Sequence, residues 1–582
     1  MRRTKIVCTL GPSVDTTEQI REMVETGMDV ARFNLSHGKS EDHYHRLQMV
    51  RGAFARGEKT TGILFDTRGP EVRTGELVGD SVYLESGSDY VLTTEPVTGD
   101  SRRGSVTYSG LHEDLKPGSV ILIDDGMITL EVKKITGKEI LCRVVHGGEL
   151  KNYKGLNTPG TRINLPALGE KDRDDIRMAL ENEVDFLAAS FTRSAEDILE
   201  IRRLVEDLGG RIMILAKIES REGVENFASI LEVSDGVMVA RGDLGVEVTP
   251  EEVPLLQKHF ISECNRLGKP VITATQMLDS MIRNPYPTRA EASDVANAII
   301  DGTDAVMLSG ETAVGKYPLE AVQTMSRIAE HTEEGLDYNK LLEQLGPTVR
   351  KTVTDAISYS TCNIALELGA DAIITSTQSG HTARMVAKYR PRAPIVAVSS
   401  RRQVASQLAL TRGVQAINCP PVNSTDEMFS NAIRVSLEKG LVKNGDLVVI
   451  TAGVPVGVSG TTNLLRVETV GEAIVKGMGI GKVAASGSAF VAKKESDLEY
   501  FEVGQILVAT MTNKDFLPAI EKAAALITEE GGLTSHGAVV AINLGIPAVV
   551  GAEGAVELIE TGETITVDAS RGLVYRGKAH VR

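Results

Sequence analysis

Residues 212–219 read Ile212-Met-Ile-Leu-Ala-Lys217-Ile-Glu219, and residues 235–243 read Asp235-Gly-Val-Met-Val-Ala-Arg241-Gly-Asp243. Each is a short apolar run that ends in charged residues. Runs of this length, rich in Val, Ile and Ala, suit strands buried on both faces of a parallel sheet. Six further runs share the texture: Thr4–Leu10, Val30–Asn34, Gly62–Thr67, Asp185–Phe191, Pro270–Thr275 and Asp304–Ser309. With Ile212–Glu219 and Gly236–Arg241 they make eight candidate strands. Helix-like stretches such as Ser194–Leu208 and Pro250–Leu267 separate most of them. Eight strand–helix units predict an α/β fold built on a (β/α)8 TIM barrel. A doubly wound open sheet is the alternative that strand count leaves open.

One interval breaks the rhythm. From about Pro70 to Leu168 the pattern alternates polar and apolar, as in Ser81–Leu92, Ser119–Asp124 and Ile128–Val132, with Asp124-Asp125-Gly126 as a turn. This predicts a small all-β domain, 70–168, inserted in a barrel made of 1–69 and 169–345. From about Arg350 strands and helices alternate again. Candidate strands are Ala372–Ser376, Ile395–Ser399, Val414–Asn418 and Leu447–Ala452, with a helix over Asp355–Leu368. They predict an α/β domain over 346–472. Glu468–Lys476 reads as a connection. A fourth unit, 473–582, carries strands at Gln505–Ala509, Ile546–Val550 and Thr564–Asp568 around a Gly531–Gly537 loop.

Composition bounds the function. The chain has 582 residues, which at roughly 100–200 residues per domain gives three or four domains. Hydrophobic residues make up 42%, enough for a large core and too many for a disordered chain. The net charge of −16 argues against a nucleic-acid binder. Met-Arg-Arg is followed by too short an apolar stretch for a signal peptide, and no run reaches the length of a membrane span. The five cysteines form no CxxC pair, which fits a reducing cytoplasm.

Barrel enzymes work at the C-terminal ends of their strands. Here those ends read Arg32-Phe-Asn34-Leu-Ser36-His37, Asp66-Thr67-Arg68-Gly-Pro-Glu71-Val-Arg73, Lys217-Ile-Glu219, Arg241-Gly242-Asp243, Thr275-Gln276 and Ser309-Gly310-Glu311. Strand alternation sends Lys217 and Glu219 to one side. Glu219 and Asp243 on neighbouring strands suit a hard cation such as Mg²⁺. Lys217, Arg32 and Arg73 add positive charge for an oxyanion-rich substrate, as phosphoryl transfer needs. Taken singly, a Lys–Glu pair two apart is an ordinary ion pair, and an Asp after Gly is an ordinary turn residue. Their gathering at several strand ends favours a metal-dependent enzyme on an anionic substrate.

At these residues the chain resembles pyruvate kinase. The resemblance rests on Lys217-Ile-Glu-Ser, Asp235–Glu247, Thr273–Met281, Pro287-Thr-Arg-Ala-Glu291 and Met307-Leu-Ser-Gly-Glu-Thr312, and covers about residues 1–470. It implies that the insert is a lid and that phosphoenolpyruvate and ADP give pyruvate and ATP in the last step of glycolysis. By the same resemblance Glu219 and Asp243 hold Mg²⁺ or Mn²⁺, Arg32 binds the phosphoryl group and Lys217 neutralises it in the transition state. Gly242, Asp243 and Thr275 hold the substrate carboxylate, and Thr275 belongs to the path that protonates the enolate. Arg73, Lys154, Asn34 and His37 contact nucleotide. Asn34, Ser36, Asp66 and Thr67 are the oxygen donors for K⁺. Relatives that dispense with K⁺ carry a lysine where this chain has Glu71, so the resemblance implies K⁺ dependence. It also implies a cytoplasmic homotetramer.

Thr375-Ser-Thr377-Gln-Ser379-Gly380-His-Thr382 resembles the family's effector loop and implies a phosphorylated allosteric effector; the other reading is a plain helix N-cap. Gly531-Gly-Leu-Thr-Ser-His536-Gly with Leu544–Gly551 resembles the swivelling phosphohistidine domain of phosphoenolpyruvate-utilising enzymes, in which the residue matching His536 carries the phosphoryl group. Two other functions stay open on these residues. One is a synthase-type transfer through His536. The other is a silent regulatory protein that keeps the fold.

Overall fold

The computed structural model describes residues 2–55, 59–346, 352–422, 424–454, 462–471 and 473–579. It divides into two compact units, one of residues 1–349, 387–390 and 401–416, the other of 350–386, 391–400 and 417–582.

The first unit holds a closed barrel of eight parallel strands. They are β1 (Lys5–Thr9), β2 (Val30–Asn34), β3 (Gly62–Asp66), β4 (Phe186–Ala189), β5 (Met213–Ile218), β6 (Gly236–Ala240), β7 (Val271–Ala274) and β8 (Ala305–Leu308). Ring closure, with β1 paired to both β2 and β8, removes the open-sheet alternative. Nearly every strand residue is buried, because one side of each strand faces the barrel interior and the other the helices. The interior cluster includes Val7, Leu64, Met238 and Ile272, and it is joined by Ala409 and Leu410 from the distant segment 401–416.

At the N-terminal end of the barrel an aspartate precedes every second strand. Asp29, Asp185, Asp235 and Asp304 stand just before β2, β4, β6 and β8. Each accepts a main-chain N–H of the preceding barrel strand: Ile6 N (2.8 Å), Ile63 N (2.9 Å), Ile214 N (2.9 Å) and Val271 N (3.2 Å). Three of the four also pair with a cation: Asp29 with Arg2, Asp235 with Arg202, and Asp304 with Arg390. Among the described contacts Asp185 has no such pair, and burial pushes its carboxyl up to about 7.

Between β3 and β4 the chain forms a seven-stranded sheet, from Val72–Arg73 to Gly155–Asn157, and a two-stranded ribbon of Ser81–Leu84 with Gly148–Lys151. Tyr90, Leu92, Ile121, Leu130, Ile140 and Val144 give this insert its own core. The predicted turn at Asp124-Asp125-Gly126 is left-handed at all three residues.

In the second unit Ile395–Ser399, Ala372–Ser376 and Leu447–Gly453 run parallel, and Thr462–Thr469 closes against Leu447–Gly453 in the antiparallel sense. A further eight-stranded sheet runs from Ala473–Lys476 to Met478–Ile480 in spatial order. The stretch Glu468–Lys476, expected as a connection, instead ends one strand and begins another. Thr462–Thr469 is half exposed and polar, so it lacks the apolar run that marked the other strands. No described helix is long and apolar enough to cross a membrane.

The unpaired Asp185 generates a prediction. A carboxyl raised by folding stabilises the fold in acid and loses that contribution as pH rises through its folded value. Asp185→Asn fixes the neutral form. Differential scanning calorimetry should find the variant more stable than the parent at about pH 8, by roughly 2–4 °C, with the advantage shrinking below about pH 7 and gone at about pH 4.

Candidate active site

The C-terminal strand ends converge on the carboxylate of Asp66, the last residue of β3, which is fully buried. Arg32 on β2 reaches Asp66 Oδ2 with Nε at 2.8 Å and Nη2 at 2.6 Å, while its Nη1 donates to Thr9 Oγ1 at 2.8 Å. Lys217 on β5 brings Nζ to 3.1 Å from Asp66 Oδ1 and 3.0 Å from Glu219 Oε1. The strand period of two therefore does place Lys217 and Glu219 together. Burial alone would raise Asp66, but Lys217 and Arg32 outweigh it and hold the carboxyl below its ordinary range. Burial works against the charge of Lys217, and the attraction of Asp66 and Glu219 overcomes it, so the ammonium stays protonated.

Glu219 and Asp243 behave differently. Both are pushed upward, first by burial. Repulsion from Asp243 adds to the rise at Glu219, and the two side chains are in hydrogen-bonding contact. Two buried carboxylates this close must share a proton or a cation. No group of three or more His, Cys, Asp or Glu side chains gathers as a metal site among the described residues. The donor set here is two carboxylates, which fits a hard divalent ion that completes its shell with water and substrate oxygens.

Thr275 follows β7 with φ of 66°, and Gln276 continues at 54°. Left-handed backbone at two successive non-glycine residues is strained by about 1–3 kcal/mol each and needs surrounding support. Arg241 supplies it, donating to Thr275 O (2.7 Å) and Ala274 O (3.3 Å) while anchored on Asp294 (2.7 Å). The result brings Thr275 Oγ1 to 2.8 Å from Gly242 N, at the start of the short helix Arg241–Glu247 that also carries Asp243.

Asn34 Oδ1 accepts Ser36 N at 3.2 Å, and Thr67 Oγ1 lies 3.2 Å from Ala188 O. With Asp66 they are oxygen donors at the ends of β2 and β3, a chemistry that suits a hard monovalent cation. The His37 side chain is exposed, and its carbonyl meets the His43 ring at 2.7 Å. Arg73 is engaged in two contacts with Glu71 (2.9 and 2.8 Å), and Lys154 pairs with Asp124 at 2.8 Å. A cleft of about 410 Å³ between barrel and insert is lined by Glu71, Asp125, Asn157, Arg221, Asp243 and Glu247. Asn157 spans it to Glu247 at 3.0 Å.

In the second unit Thr377 and Thr382 are buried, Thr382 Oγ1 lies 2.9 Å from Thr462 Oγ1, and Gly380 is left-handed at 77°. The Ser379 carbonyl accepts Arg384 Nη2 at 3.1 Å. His536 opens the helix His536–Leu544 behind the cap Ser535, with Nδ1 3.2 Å from Thr512 Oγ1.

The sequence reading missed Ser190 and Phe191, just after β4. Ser190 Oγ lies 2.7 Å from Lys217 Nζ, and Phe191 N donates to Glu219 Oε2 at 2.6 Å. Neither is charged, so only their place at a strand end pointed to them.

This arrangement of strands and strand ends has relatives. Residues 1–322 match the family model for the pyruvate kinase barrel domain. The chain belongs to the pyruvate kinase family. Residues 355–468 match the family's alpha/beta domain, and 501–572 match the mobile domain of PEP-utilising enzymes. Pyruvate kinases from Geobacillus stearothermophilus and Bacillus licheniformis are 54% and 53% identical, each over the full length of both chains. A solved pyruvate kinase structure from Cryptosporidium parvum aligns with a TM-score of 0.76 at 41% identity, over 81% of this chain and 96% of that one. The protein is accordingly a metal-dependent phosphotransferase that acts on phosphoenolpyruvate and ADP. The kinase reading of the barrel displaces the synthase-type and silent alternatives.

The paired carboxylates generate a prediction that needs no substrate. Mn²⁺ at saturation should raise the melting temperature of the parent, as a ligand of the native state does. Glu219→Gln and Asp243→Asn should each weaken Mn²⁺ binding about tenfold or more by electron paramagnetic resonance. Unchanged binding in both variants would place the cation elsewhere.

Proposed function

We propose that the strand-end cluster transfers the phosphoryl group of phosphoenolpyruvate to ADP, with Lys217 as its central catalytic residue. The observation that carries this is the buried ammonium of Lys217, held among Asp66, Glu219 and Ser190 at 2.7–3.1 Å. Such a fixed charge, in a site shielded from water, stabilises charge that develops on a transferring phosphoryl group without having to reorganise.

Arg32 binds the phosphoryl group, and Lys217 neutralises it as it moves. The amides of Gly242 and Asp243, with the Thr275 hydroxyl, hold the substrate carboxylate; the hydrogen bond from Gly242 N to Thr275 Oγ1 supports their grouping. Thr275 also stands on the path that protonates the enolate. Glu219 and Asp243 hold Mg²⁺ or Mn²⁺, and Asn34, Ser36, Asp66 and Thr67 hold K⁺. Held by Glu219 and Asp243, a divalent ion would supply Lewis-acid charge to the substrate. Arg73, Lys154, Asn34 and His37 meet the nucleotide, for which Arg73 and Lys154 exchange their contacts with Glu71 and Asp124. The insert, 70–168, closes over the barrel of 1–69 and 169–345 and excludes water.

The α/β domain, 346–472, binds a phosphorylated effector through Thr377, Ser379, Gly380 and Thr382 and assembles a homotetramer in the cytoplasm. The C-terminal domain, 473–582, serves assembly or regulation. Its His536 stands at the position that carries the phosphoryl group in phosphohistidine domains.

Two measurements test this reading. Lys217→Met should lower kcat by about a thousandfold or more while phosphoenolpyruvate still binds, since one preorganised charge is being removed from the transition state. Turnover near that of the parent would remove Lys217 from the role. Replacing K⁺ by Na⁺ at constant ionic strength should cut turnover sharply, because Glu71 brings negative charge to a place where a lysine would substitute for the cation. Equal rates in both salts would discard the K⁺ assignment and leave the kinase intact.

A further inference from the structure

The ammonium of Lys217 has three protons and three oxygen partners: Asp66 Oδ1, Glu219 Oε1 and Ser190 Oγ. The two carboxylates supply charge. Ser190 supplies the shortest contact, 2.7 Å, and no charge. Its hydroxyl has one proton of its own and two acceptors in reach, Thr67 O at 2.6 Å and Asp66 Oδ1 at 3.0 Å. With that proton directed to Thr67 O or Asp66, a lone pair of Ser190 Oγ faces Lys217. Ser190 is buried at 7% exposure, so water does not readily take the place of its hydroxyl.

The main chain is arranged to hold this hydroxyl still. Phe191 is left-handed at 51°, which turns the backbone just after β4 and points Phe191 N at Glu219 Oε2. Gly69, also left-handed at 68°, packs so closely on this turn that a Cβ there would stand 2.5 Å from Ser190 O. One dipeptide thus sets the direction of both the lysine and its neighbouring carboxylate.

We propose that Ser190 is a positioning residue for phosphoryl transfer: its hydroxyl fixes the Lys217 ammonium in the direction the moving phosphoryl group requires. This rests on the role proposed for Lys217. Without the third acceptor the ammonium is drawn toward Asp66 and Glu219 and away from the substrate, and one buried N–H is left unpaired. Charge and burial of the lysine persist, so substrate binding persists while the rate falls.

The test uses the full-length protein. Ser190→Ala, with Ser190→Cys as a second variant that fills similar space with a poor acceptor, should each lower kcat about tenfold or more. Calorimetric titration with phosphoenolpyruvate, Mg²⁺ and K⁺ in the absence of ADP should give one site per subunit and a Kd within about threefold of the parent, as expected when only transition-state interaction is lost. In a Lys217→Arg background the same Ser190→Ala change should alter the residual kcat by less than about twofold, because interacting residues are not additive. Full additivity, a loss that tracks lost binding stoichiometry, or parental kcat in both serine variants would overturn the proposal. Parental kcat in Lys217→Arg and Lys217→Met would instead remove the reading on which it rests.

Discussion

Everything at the open end of the barrel depends on one buried carboxylate. Asp66 has no exposure, yet it stays ionised because Lys217 reaches it across β4 from β5 and Arg32 approaches it from the adjacent β2. Removing an ion from water costs several kcal/mol, and only close partners offset that cost. The cluster is therefore interdependent. Asp66 needs its two cations, Lys217 needs two carboxylates and a hydroxyl, and Glu219 carries a pKa raised first by burial and further by Asp243. Charge held this way is directed before substrate arrives, which is the condition for electrostatic catalysis of phosphoryl transfer.

The two ends of the barrel divide the work. Aspartates at the N-terminal end bond main-chain amides of neighbouring strands, and Leu410 joins the interior core from a segment far along the chain. Those contacts hold the ring. At the other end the backbone is strained at Phe191, Thr275 and Gln276. Strain of this kind persists only where the surroundings over-determine it, as Arg241 does for Thr275.

The eight barrel strands were legible in the sequence because a strand buried on both faces leaves a continuous apolar run. Lys217 and Glu219 were legible as neighbours because strand geometry repeats every two residues. Ser190 was not: a serine after an apolar run has no charge or spacing to mark it, and its role depends on a lysine 27 positions away. The pairing of Arg73 with Glu71 and of Lys154 with Asp124 was likewise hidden, since side-chain partners follow from the folded insert. Thr462–Thr469 escaped because a half-exposed strand of mixed polarity resembles a linker. The likeness of the last hundred residues to a phosphohistidine domain was legible through a local motif, Gly531–Gly537, which needs no long-range information.

Phosphoryl transfer at this site stands on the direction of two cationic side chains around Asp66. A crystal structure with phosphoenolpyruvate, K⁺ and a divalent ion, without ADP, examines it most directly. The account predicts the phosphoryl oxygens within hydrogen-bonding reach of Arg32 and Lys217, with Lys217 still touching Ser190 and the substrate carboxylate against Gly242, Asp243 and Thr275. Phosphoenolpyruvate bound with its phosphoryl group away from Arg32 and Lys217, or with Lys217 turned out of the Asp66 cluster, would contradict it.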